Sequence, residues 1–158
     1  MKAIKLGYSG FTLIELITAI VIVAILSVIA GMGLVQIANG FVFAKKNAIA
    51  SQQGQIALTR LAKEFSAIQS ISSATATSIT YTRTPGETHT VSWTTENQPV
   101  TIDGDTLIGN VKSFSLTYYN TYNASGSPYS ATTPVIEIAL EIKGYMDTTL
   151  RFVDRVVI

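Results

Sequence analysis

Few side chains in this sequence could do chemistry, and their spacing argues against most of it. The chain holds one histidine, His89, and no cysteine, so thiol nucleophiles, disulfides and zinc-thiolate sites are excluded. His89 stands between Thr88 and Thr90, in phase with Val91 and Trp93, which is the setting of a packed strand surface rather than of a general base. Neither a GxSxG elbow nor a glycine-rich phosphate loop occurs. Asp103-Gly104-Asp105 with Asn110 offers oxygen ligands of the kind calcium takes, although Asp-Gly is first of all a tight hairpin turn. The expectation is a chain that is not an enzyme, with no catalytic residue, no cofactor and no metal.

One group remains that demands an explanation. From Phe11 to Val35 the only ionisable side chain is Glu15. About 25 largely apolar residues at 1.5 Å rise make a helix of roughly 35 to 40 Å, enough to cross a hydrocarbon core of about 30 Å with some tilt. A carboxylate in such a span costs roughly 2.5 to 3.5 kcal/mol to insert and needs a dedicated partner. The span supplies no cation, so the partner comes from another molecule or from a new chain end. A cut after Gly10 would give Phe11 a free ammonium one helical turn from Glu15, able to meet a neighbouring subunit's carboxylate in a packed array of such helices.

A short leader with Lys2 and Lys5 that ends in Gly10, followed by Phe11, by Glu15 and by about 20 apolar residues, resembles the class III signal of type IV pilins and type II secretion pseudopilins. The resemblance covers roughly the first 35 residues. It implies a prepilin peptidase that cuts on the cytoplasmic side between Gly10 and Phe11 and methylates the new N-terminus, and it assigns Glu15 to assembly. A conventional secretory signal has an apolar region of 7 to 15 residues; with a cut after Val28-Ile29-Ala30 the apolar run here is too long, and Glu15 would have no role in a discarded segment. A plain single-span anchor with an incidental Glu15 is the other alternative.

With 158 residues, 47% hydrophobic and 13% charged, the chain is too apolar for disorder and fits one domain plus the span. Formal net charge is +1, and removing Lys2 and Lys5 leaves nine basic against ten acidic side chains. Lys45-Lys46 is the sole adjacent basic pair, so no nucleic-acid partner is expected. Basic residues flank the span on both sides, so orientation rests on the resemblance. That places the N-terminus in the cytoplasm and everything after about Val35 in the periplasm, in a chain of the bacterial inner membrane. Tyr8, Phe41 and Phe43 suit interfacial belts.

The elements that must position these residues follow from periodicity. Gly31, Gly33 and Gly40 mark the weakest part of the first helix. From Lys45 the pattern turns amphipathic, with Leu58, Leu61, Phe65 and Ile68 at spacings of three and four, Ile49 and Ile56 leading in and Ile71 trailing out. The expected helix runs from about Thr12 to about Ser72. After Thr77 the period becomes two, predicting an antiparallel sheet with strands near 78–84, 88–95, 98–102, 111–122, 134–143 and 148–158, one face of it packed on the helix. The polar stretch 120–133, with Tyr118, Tyr119, Tyr122 and Tyr129 in or beside it, is a loop suited to lateral contacts. The fold class is thus α+β and pilin-like: leader 1–10, membrane or filament-core helix 11–35, and a periplasmic domain 36–158 with helix 36–72 and sheet 78–158. Residues 60–82 and 109–120 are similar in layout to J-type minor pseudopilins of type II secretion and to minor pilins. This implies a minor structural subunit whose partners are prepilin peptidase, other pilin or pseudopilin subunits and the inner-membrane assembly platform. A membrane-tethered or secreted binding domain with no filament role is the alternative.

Overall fold

The computed structural model describes residues 10–84, 86–121, 126 and 135–158. The leader lysines, Tyr8, Tyr122, Tyr129 and most of the 120–133 loop lie outside the described residues. Packing divides the chain into two units, the first ending at Val42 and the second running Phe43–Ile158.

In the first unit the chain forms the greater part of helix α1 (Leu13–Ser66), whose bounds extend into the second. Every described side chain through Val42 is exposed, and the exposed set includes Ile14, Ile20, Val28, Ile29 and Ile37. An apolar helix with no buried face is covered in its working state by lipid or by other helices. Its hydroxyls are already neutralised: Thr18 Oγ1 donates to the carbonyl of Ile14 at 2.8 Å and Ser27 Oγ to that of Val23 at 2.7 Å, so neither presents a free donor to an apolar surrounding.

In the second unit α1 buries Gly54, Ala57, Leu61 and Phe65, a stripe at spacings of three and four. Ile49 and Ile56, expected to lead into that stripe, are instead 46% and 69% exposed, because the face that meets the sheets is set by Gly54 and Ala57, whose small size permits close approach. Phe152 lies so near Gly54 that a Cβ there would overlap its ring. The helix also ends earlier than expected. It stops at Ser66, and the stretch up to about Ser72, expected as its last turns, belongs instead to strand β1 (Ile68–Ala74). Ile68 and Ile71 are β-branched among serines, and pairing with the next strand outweighs their helical spacing.

The remaining strands are β2 (Ser78–Arg83), β3 (Glu87–Ser92), β4 (Val100–Ile102), β5 (Asp105–Ile108), β6 (Val111–Tyr119), β7 (Val135–Lys143) and β8 (Thr149–Val157). They make two antiparallel sheets instead of the one expected: five strands in the order β1-β2-β3-β4-β5 and three in the order β6-β7-β8. The segment after β1 laces the sheets together, with Leu116 N–H donating to the Ala76 carbonyl at 2.7 Å and Tyr118 Oη to the Thr75 carbonyl at 2.8 Å. Backbone groups on the edge of β6 are thereby satisfied inside the fold. One core gathers Leu61 and Phe65 of α1 with Ile79 and Tyr81 of β2, Phe114 of β6 and Leu140 of β7. The structure is α+β and pilin-like, an apolar N-terminal helix with antiparallel sheets.

Candidate functional site

Three clusters contain the residues singled out from the sequence. The first is the start of α1. Thr12 precedes the helix and Glu15 lies in its first turn. Glu15 N–H donates to Thr12 Oγ1 at 3.3 Å, and Glu15 Oε2 accepts from Thr12 N–H at 3.5 Å. This is a capping box, in which two helix-end donors are satisfied reciprocally. Its signal, Thr-x-x-Glu, is present in the sequence as Thr12 to Glu15 and gives Glu15 a local role beside its charge. The bonds are long, and one Glu15 oxygen takes no bond from Thr12, so the carboxylate keeps capacity for a cation. Gly10 and Phe11 precede the cap, outside the helix, and are exposed.

The second cluster surrounds His89. Its Nδ1 lies 2.6 Å from Asp103 Oδ2, Asp103 Oδ1 accepts from Thr90 N–H at 2.7 Å, and the imidazole packs against Tyr81 at 5.8 Å. Asp103 (φ 55°) and Gly104 (φ 89°) form the two-residue turn joining β4 to β5, the left-handed geometry that Asp-Gly favours. Both Asp103 oxygens are thus committed within the fold, and among the described residues no group of three or more His, Asp or Glu side chains could hold a metal. The Asp-Gly-Asp segment is a hairpin turn pinned to β3 through Asp103. Burial would raise the Asp103 carboxyl, but the bonds from His89 and Thr90 outweigh it and hold it below its ordinary 3.8. A depressed carboxyl contributes stability that is complete above the unfolded value and disappears as pH falls through the folded one. Acidification below about pH 3.8 should therefore lower the melting temperature of the parent more than that of an Asp103→Asn chain. Melting curves across that range check this, and parallel losses in the two chains would contradict it.

The third cluster joins the end of α1 to β2. Arg83 Nη1 lies 2.6 Å from Glu64 Oε2, Tyr81 Oη donates to the same oxygen at 3.5 Å, and Phe65 meets the Tyr81 ring edge-on at 5.8 Å. Burial, with help from Glu64 and Asp103, pushes the Tyr81 hydroxyl far above its ordinary range. It stays protonated and acts as a donor. Tyr118 and Tyr119, assigned binding potential from the sequence, are 3% and 6% exposed; Tyr118 belongs to the core and Tyr119 lies under Arg155, whose guanidinium is 4.4 Å from its ring. Neither presents a contact surface.

Of the three clusters, only the helix start is fully exposed and chemically incomplete. Residues 6–31 match the family model described as the prokaryotic N-terminal methylation motif. The chain carries a class III prepilin signal. Such a signal marks a pilin-type precursor for processing by prepilin peptidase, and the helix behind it is long and apolar enough to cross a membrane. No curated protein and no solved structure matches the chain significantly.

Proposed function

We propose that this prepilin-type chain is a minor structural subunit of a type II secretion pseudopilus or a type IV pilus. Prepilin peptidase cuts it between Gly10 and Phe11 and methylates the Phe11 amine. Phe11 to about Val35 then crosses the inner membrane, with residues 36–158 on the periplasmic side, and later packs among like helices in the filament core. Glu15 sets axial register by pairing with the N-terminal ammonium of a neighbouring subunit. The assembly platform of the inner membrane and other pilin or pseudopilin subunits are its partners. The observation that carries this reading is the methylation motif at residues 6–31 on a helix whose described side chains are all exposed through Val42.

Intact mass and N-terminal sequence of the protein from membranes of cells with and without prepilin peptidase provide the test. The expected product begins at methylated Phe11 and forms only when the peptidase is present. A chain beginning near Gly31 would identify a secreted domain, and one that keeps Met1 in both strains would identify a plain anchor. Either would remove the filament role.

A further inference from the structure

We infer that His89 and Glu87 form a binding site for a zinc-like divalent transition-metal ion, with Asp103 orienting the imidazole from behind. Both ligands belong to β3 and lie two residues apart, so their side chains leave the same face of the strand. The site lies wholly within the second unit and does not depend on the filament reading.

The imidazole is fixed before any ion arrives. Asp103 Oδ2 lies 2.6 Å from His89 Nδ1, and Asp103 Oδ1 is itself held by Thr90 N–H at 2.7 Å. A carboxylate acceptor at that distance places the ring proton on Nδ1 and leaves the lone pair on Nε2. A carboxylate behind a histidine in this way sets tautomer and ring orientation at metal centres. The fully buried Tyr81 ring packs on the imidazole at 5.8 Å and holds it from a second side.

Nε2 has the wrong kind of neighbour for a hydrogen bond. It is buried and has no hydrogen-bond partner among the described residues, while Glu87 Oε2 stands 3.7 Å away. Two acceptors this close are relieved by a cation placed between them. Donors about 2.1 Å from one ion stand about 3.4 Å apart in a tetrahedral site and about 3.6 Å apart at an angle of 120°. The observed separation is within a few tenths of an ångström of both. One imidazole nitrogen and one carboxylate oxygen are donors that zinc takes, and water completes the shell.

The surrounding charge favours the ion. Arg83 is the cross-strand partner of Glu87, but its guanidinium is engaged by Glu64 at 2.6 Å, so two carboxylates, Glu87 and Asp103, flank the ring. Glu87 also provides the way in. Its side chain is 65% exposed against 17% for His89, and its rotation opens Nε2 to solvent. With two protein ligands the site is exchangeable, unlike the closed four-ligand centres that hold a fold together.

Titration of the full-length chain in detergent micelles with zinc chloride tests the site, followed by calorimetry and by the imidazole resonances of the single histidine. The parent should take up one ion per chain, with the His89 resonances moving in step. His89→Gln should abolish that uptake. Asp103→Asn, which removes the carboxylate behind the ring, should weaken it by about 10- to 100-fold, and Glu87→Gln, at an exposed strand end, should weaken it more. No uptake at millimolar zinc overturns the site. So does uptake that leaves the His89 resonances unmoved or that is equal in the parent and in Glu87→Gln. Parental affinity in Asp103→Asn overturns the orienting role of that carboxylate.

Discussion

Replacing Glu15 by valine leaves the chain in the membrane with its β-rich unit folded and lowers its entry into filaments by about a hundredfold. The figure follows from the cost of the unpaired charge. If a neighbour's N-terminal ammonium enters an apolar helix array without a counter-ion, the penalty is roughly 2.5 to 3.5 kcal/mol, and each 1.4 kcal/mol is a factor of ten. Fold should be unaffected, because Glu15 is exposed and its described hydrogen bonds go only to Thr12. The capping box makes a sharper experiment possible. Glutamine preserves the reach-back bond of a capping box but carries no charge, so Glu15→Gln should assemble as poorly as Glu15→Val. Sheared-filament fractions probed for the subunit give the answer; parental incorporation of Glu15→Gln would reduce Glu15 to a helix cap.

The second large effect is on stability. Phe65→Ala should lower the melting temperature by on the order of 15 °C, from a loss of about 3 to 5 kcal/mol. Phe65 is 0% exposed and sits on the last turn of α1 against Tyr81, itself 0% exposed. Its removal would leave a cavity between helix and sheet that the paired strands β1 and β2 cannot collapse into without losing register. By contrast, Ile56→Ala removes a similar bulk from a side chain 69% exposed and should change the melting temperature by only a few degrees. Circular dichroism melts of the full chain in detergent compare the two, and equal losses would show that the two helix positions are not distinguished by burial.

The difference between Phe65 and Ile56 also shows what periodicity conveys and what it leaves out. Leu58, Leu61 and Phe65 lie at helical spacing and do face the core or its margin, but Ile49 and Ile56 share that spacing only approximately, and the pattern of large residues could not reveal that Gly54 and Ala57 define the contact line. The same blindness displaced the helix end. Ile68 and Ile71 are three apart, as on a helix, yet their place is decided by cross-strand partners Arg83 and Tyr81, which lie well beyond one helical turn away in sequence. Strands β2, β6, β7 and β8 were legible because their alternation is sustained, whereas β5 is four residues long and its Asp-Gly turn was visible only as a turn. At the helix start, Glu15 stood out as the one ionisable side chain in an apolar run, while Gly10 and Phe11 were singled out by the resemblance of the leader. The tie between His89 and Asp103 was not legible, since it depends on β4 lying beside β3.

Ala67 is all that separates the end of α1 from the start of β1, and this has a mechanical consequence. A tension applied along the helix meets no slack linker in which to dissipate. What reaches the last turn, past the packing of Gly54, Ala57 and Leu61, takes the covalent path through Ala67 into β1, whose hydrogen bonds lead to β2, and the lateral path from Glu64 and Phe65 onto Arg83 and Tyr81 of β2. Both of these paths end on β2, so the last turn of α1 is tied to that strand twice, covalently through β1 and laterally through Glu64 and Phe65.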